Sequence, residues 1–170
     1  KKRKTMKKIF FFIIISSSLN LLAQQTFDKW ENVELKDKFG DKTGEVIKSI
    51  LVKGKFSNTA TTDSDLIVKI SDYGKHIKFS FYEYNKPPEA TIVSKTRIGR
   101  IYIKRANGEE ETHRGYAMSY GGVYLNKKRN KLTKLIRNGN GEIIKVFIWA
   151  REFSIYGKST YSFSLKTQEN

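Results

Sequence analysis

Few residues in this chain are of a type that could do chemistry, and their spacing narrows the field further. Among 170 residues there is no cysteine and there are only two histidines. Thiol nucleophiles, disulfides and thiolate metal sites are therefore excluded. His76 and His113 fall on separate expected strands. Glu109, Glu110 and Glu111 precede His113 and could join it around a metal, but three acids at a hairpin tip also read as a solvated turn. No Gly-x-Ser-x-Gly elbow is present, and no base is placed beside a serine by a known motif. The acids lie scattered over turns, so no carboxylate pair stands out for glycoside hydrolysis. The expectation is no metal, no cofactor and no catalytic residue.

The strongest local charge feature is the run Lys127, Lys128, Arg129, Lys131, Lys134 and Arg137. Lys128, Arg129, Lys131, Lys134 and Arg137 are the candidate anion-binding residues. They could face phosphate on lipopolysaccharide or on anionic lipid, or, less in keeping with an exported chain, in nucleic acid. The competing reading is a solvated helix face whose cations gather near the C-terminal end, where the helix dipole favours them. Tyr82, Tyr84, Tyr116, Tyr120 and Tyr124 could stack on sugars or bases, or could simply be residues of high strand propensity.

The elements that must position these residues are almost all strands. In His76 to Tyr84, Ile77, Phe79 and Phe81 alternate with Lys78, Ser80 and Tyr82, a period of two that buries one face. Trp30 belongs to a first strand within 24–38. Glu45 to Phe56 reads as a long strand, bulged near Gly54, and Asp65 to Ser71 continues it into a three-strand meander with His76 to Tyr84. Lys86-Pro87-Pro88-Glu89 forces a loop. Ala90 to Ser94 and Arg97 to Arg105 follow as strands. Glu110 to Ala117 pairs back through a hairpin at 106–109. After the short strand Val123 to Leu125 comes the one helix, 126–138, where Leu132, Leu135 and Ile136 share a face and Gly139 can take the left-handed position after it. That helix should lie across a sheet edge or plug one end of a barrel. Glu142 to Glu152 is apolar on both faces, which reads as a central strand, and Ser159 to Leu165 closes the fold. An all-β, antiparallel β-sandwich with one short helix near 127–138 is expected, with a partly open β-barrel as the alternative.

Ahead of this domain, Met6-Lys7-Lys8, the apolar run Ile9 to Ile15 and the small residue Ala23 make a secretory signal peptide over 1–23. Its apolar core is shorter than the ~20 residues that span a bilayer, so no transmembrane span is expected after processing. The chain carries 33 Lys plus Arg against 17 Asp plus Glu, a net charge of +16; six of the basic residues lie within 1–23, so the remainder is still +10. Residues 24–165 then form a single β-rich domain and 166–170 a polar tail. Export without cysteine suits a bacterial envelope or the medium, so the location expected is secreted or periplasmic.

Trp30, Phe39-Gly40-Asp41-Lys42-Thr43-Gly44, Gly54-Lys55-Phe56-Ser57-Asn58-Thr59-Ala60-Thr61-Thr62 and Phe81-Tyr82-Glu83-Tyr84 together resemble a group of small uncharacterised exported domains of Gram-negative bacteria. The Leu132 to Ile136 helix and Ser159-Thr160-Tyr161-Ser162-Phe163 extend the resemblance over most of the processed chain. It implies compartment and fold, and carries no activity. The function expected is a non-enzymatic binding or envelope-associated module, its partner an anionic envelope component or another envelope protein. A hydrolase of envelope or extracellular polymers is the alternative. The leader sets the first prediction: N-terminal analysis of native protein should find a chain starting at or near Gln24 in the envelope or medium. Met6 retained on a cytoplasmic protein would overturn it.

Overall fold

Strand-forming residues in period-two alternation build nine antiparallel strands and one helix in the structure, a computed structural model that describes residues 26–84, 98–117, 122–126, 130–149 and 159–169. The strands are β1 (Glu31–Lys36), β2 (Lys42–Ser57), β3 (Ser64–Asp72), β4 (His76–Glu83), β5 (Ile98–Lys104), β6 (Glu110–Ala117), β7 (Val123–Asn126), β8 (Ile143–Trp149) and β9 (Thr160–Lys166), with α1 (Lys131–Asn138) between β7 and β8. The expected leader at 1–23 and the expected strand Ala90 to Ser94 lie outside the described residues.

The strands form a closed barrel and not a sandwich. Hydrogen-bonded neighbours run β1-β2-β3-β4-β7-β6-β5-β8-β9, and β9 returns to pair with β2, so eight strands close and β1 is added outside the ring. A sandwich needs two sheets with edges of their own, and this pairing leaves the eight strands none. Closure depends on the 16-residue length of β2. One side of β2 is covered by β3 from Lys48 to Phe56. Its other side meets β1 over Lys42 to Ser49 and β9 over Gly54 to Ser57.

Between those two partners the N-terminal segment fills the wedge. Asp28 N–H donates to Leu51 O at 2.8 Å and Trp30 Nε1–H to Lys166 O at 2.8 Å, stitching β2 to the end of β9. Trp30 packs against the core as expected. Gly54 marks no bulge, because the β2–β3 register runs unbroken through it. A Cβ on Gly54 would stand 2.4 Å from Ser162 O and 2.8 Å from Phe163 Cβ. The glycine is there to let β9 close on β2.

Inside the barrel, Ile50, Val52 and Phe56 of β2, Leu66, Val68 and Ile70 of β3, and Ile77, Phe79 and Phe81 of β4 form one cluster with residues from the other strands. The three-strand meander and its inward residues are as the alternation indicates. Ser80 faces outward yet is buried. At the end where β9 begins, Tyr161 stacks on Phe81 with ring centroids 4.2 Å apart and donates its hydroxyl to Glu83 at 2.7 Å. Burial, helped by the Glu83 carboxylate, pushes the Tyr161 phenol well above its ordinary range.

Helix α1 plugs the other end. Asn130 caps it by accepting from Leu132 N–H at 3.0 Å, and Leu132 and Ile136 insert into the barrel cluster. Gly139 is not left-handed: its φ is −78°, and the positive values fall on Asn140 and Gly141. A Cβ on Gly139 would stand 2.5 Å from Thr167 Oγ1, so this glycine makes room for the chain end. Thr167 and Gln168, in the segment that reads as a polar tail, are buried, and Gln168 N–H donates to Ile136 O at 2.7 Å. The segment 166–168 locks the helix in place.

Gly54→Ala should therefore cost about 1–3 kcal/mol of stability, the usual penalty of overpacking. Lys53→Ala, next to it and exposed, should change stability by no more than about 0.5 kcal/mol. Urea denaturation of both variants checks the difference, and equal effects would mean the seam is not tight at Gly54.

Candidate functional site

Of the five cations proposed from the sequence, the three on described residues have different surroundings. Lys131 and Lys134 stand exposed on the outer side of α1. Arg137 is taken: its Nε donates to Asp72 Oδ2 at 2.7 Å, its Nη2 to Asp72 Oδ1 and to Gly74 O at 3.0 Å. Gln168 Nε2 donates to the same carboxylate at 3.1 Å and the Gly74 amide to it at 2.8 Å. Asp72 thus ties together the helix, the β3–β4 turn and the chain end. Lys128 and Arg129 lie outside the described residues. What remains on α1 is two solvated lysines.

The histidines do not converge, since β7 separates the strands that carry them. His76 stacks on Tyr73 at 4.9 Å. His113 points inward, 8 % exposed, with Nε2 3.0 Å from Glu111 Oε2 but not aligned for a hydrogen bond. Burial holds its pKa below the ordinary value, with Glu111 opposing. Among the described residues no three His, Asp or Glu side chains gather as metal ligands. Of the five tyrosines, Tyr116 and Tyr124 stack on each other at 5.1 Å, Tyr84 meets Phe56 edge-on at 5.0 Å, Tyr82 is half-buried and Tyr120 lies outside the described residues. That stacking covers one face of Tyr116 and one of Tyr124.

The exposed rings are elsewhere. Strand β8 alternates strictly, Ile144, Val146 and Ile148 buried against Ile143, Lys145, Phe147 and Trp149 exposed. Its position between β5 and β9 is central, as expected, and its second apolar face looks outward. A barrel has one interior, so each of its strands can bury only one face there. Phe147 is 42 % and Trp149 40 % exposed.

Phe147 lines a groove of about 590 Å³ on the outer wall, crossing β2, β9, β8, β5 and β6. Four strand spacings make it roughly 19 Å across. The hyperboloid form that twist gives a barrel leaves its outside concave along the axis, which accounts for a groove on a closed wall. Strand register sets its contents in rows. One row reads Lys55, Ser162, Phe147, Tyr102, Thr112. The next reads Ser164, Lys145, Lys104, Glu110. Phe147 and Tyr102 have ring centroids 6.1 Å apart at a 53° tilt. Trp149 stands one row beyond Phe147, opposite Thr160.

Most of the groove's charges have partners. Lys55 pairs with Asp65 at 2.7 Å, Lys104 with Glu110 at 3.0 Å, and Lys53 lies 4.8 Å over the Phe27 ring. Lys145 alone among the groove's lysines has no partner among the described residues. The wall therefore offers aromatic faces, hydroxyls and one uncommitted ammonium.

No protein-family model, curated protein or solved structure matches this chain. Function is accordingly read from geometry alone. The signal for the groove was present in the sequence, in the double apolar face of β8 interrupted by Lys145. Only the closed topology tells which of the two faces is outside.

The Asp72 cluster yields the next prediction. Burial pulls the Asp72 carboxyl upward, but Arg137, the Gly74 amide and Gln168 outweigh it and hold its pKa below the ordinary value. A carboxylate depressed in the fold contributes stability above its unfolded pKa of about 3.9 and loses it as pH falls through the folded value. Arg137→Ala should cost about 3 kcal/mol at pH 7, because it leaves a buried carboxylate uncompensated. The gap to wild type should narrow as the pH drops below about 3.9. Urea denaturation at the two pH values checks it, and an unchanged gap would show that the ion pair is not its source.

Proposed function

We propose that this chain is a non-enzymatic binding module of the envelope or the extracellular medium, and that it holds an extended polymer in the groove across β2, β9, β8, β5 and β6. The observation that carries this reading is the exposure of Phe147 and Trp149 on a strand whose other side is fully packed. Apolar surface left in water costs roughly 25 cal/mol per Å², so large rings side by side on a rigid wall point to a partner that covers them. Tyr102 widens the aromatic surface, and Ser162, Ser164 and Thr112 supply hydroxyls that donate and accept along the same groove. The expected leader supports the compartment, and the excess of positive charge favours an anionic partner. Nearest to the groove, the acids are Glu110, engaged by Lys104, and Glu111, set against His113. Neither is paired with a second carboxylate across the groove, which favours binding over hydrolysis.

The test is co-sedimentation with polymers of the bacterial surface and matrix, lipopolysaccharide and insoluble acidic and neutral glycans among them. Phe147→Ala should weaken retention about ten-fold, the loss of one well-placed ring contact. Its melting temperature should stay within a few degrees of wild type, because the ring is outside the core. Trp149 also reports binding directly, so a ligand-induced change in tryptophan emission should vanish in Trp149→Phe. Retention unaffected by Phe147→Ala sinks the reading. Shortened polymer fragments, lost in Glu110→Gln, would establish the hydrolase instead.

A further inference from the structure

Resting on that reading of the groove, we infer that its ligand is a carboxylated glycan, with the Lys145 ammonium meeting a sugar carboxylate while Phe147 and Tyr102 pack against sugar rings. The inference starts from a local conflict. Register sets Lys145 directly opposite Lys104, and like charges facing each other across strands repel. Glu110, on the far side of Lys104, takes the Lys104 ammonium at 3.0 Å. Lys145 is left facing Ser164 on its other side and forms no ion pair among the described residues.

A cation kept unpaired beside an aromatic pair is complementary to one negative charge on an otherwise uncharged, ring-shaped unit. Sugar rings present apolar C–H faces to aromatic side chains, and their hydroxyls match the groove's own hydroxyl rows, Ser162 with Thr112 beside the rings and Ser164 beside the lysine. A uronic acid adds the carboxylate, which an ammonium holds by a charge-assisted hydrogen bond. Single-stranded nucleic acid asks for something else, a track of available cations following the phosphates. In this groove Lys53, Lys55 and Lys104 are already engaged, so that track is missing. Trp149, about 6.7 Å further along β8 than Phe147, extends the stacking surface to a neighbouring unit of the chain.

Titration calorimetry of the processed chain with three probes tests this: polygalacturonate, the neutral galactan made from it by carboxyl reduction, and single-stranded oligothymidylate. Wild type should bind polygalacturonate best. Lys145→Glu should weaken that binding about ten-fold or more, Lys145→Gln less, and neither should alter galactan binding by more than about two-fold. Phe147→Ala should weaken both glycans. If Lys145→Glu leaves polygalacturonate binding unchanged while Phe147→Ala abolishes it, the carboxylate assignment fails and the groove stands. If Phe147→Ala changes neither glycan, or none of the probes binds, both fail. Tighter binding of oligothymidylate than of either glycan overturns the glycan assignment in favour of nucleic acid.

Discussion

Where β9 passes Gly54 with no room for a side chain, the sheet that leaves β2 through β3 comes back to β2 from the other side. That single approach decides the architecture, because without it the same strands would end in two open edges and need a second sheet to cover their apolar face. The long β2 is the device that makes the closure compatible with a ninth strand. It gives its second side first to β1, then to the N-terminal segment around Trp30, then to β9. The plug follows from the closure, since a ring filled with aliphatic and aromatic side chains still has two ends to seal. Leu132 and Ile136 seal one, and the Asp72, Arg137 and Gln168 cluster holds the helix in position.

Among the described residues the barrel's interior is filled by its core cluster, and the groove lies on its outside. Side chains fill the centre, as in small barrels generally, so the proposed ligand would meet the wall. On the wall, most strands show water what the alternation indicates, lysines, serines and acids. Strand β8 is the exception. Its outer face carries rings, and the neighbours that register sets beside them are hydroxyls and a lysine with no counter-ion among the described residues. The barrel supplies the rigidity that keeps these groups in rows, and none of them contributes to the core.

Much of this was legible from residue order. The alternation of Ile77, Phe79 and Phe81, and of Tyr161, Phe163 and Leu165, assigns the inward faces correctly because a period of two is a local property. The helix around Leu132 and Ile136 was also legible, but which of its two expected places it takes, sheet edge or barrel end, was not. What was not legible depends on contacts between distant residues. Gly54 and Gly139 look like a bulge and a left-handed cap, yet each is set by the backbone or side chain that passes over it. Arg137 looks like one of five equivalent cations, and only the fold brings Asp72 to it. The outward exposure of Phe147 and Trp149 is invisible in β8 itself, because a strand apolar on both faces has the same sequence whether it sits between two layers or in a wall with one interior.

Closure also leaves one whole strand outside the ring. Among the described residues the strand outside the ring is β1, whose outer side pairs with no other strand along its whole length, six residues reading Glu-Asn-Val-Glu-Leu-Lys. Open edges are templates on which other chains add strands, and charged side chains along them are a common defence. Glu31, Glu34 and Lys36 supply that defence over half of β1, with Glu34 held by Lys42 at 2.7 Å. In a domain without disulfides, those charges guard the edge most open to pairing between folded copies at high concentration.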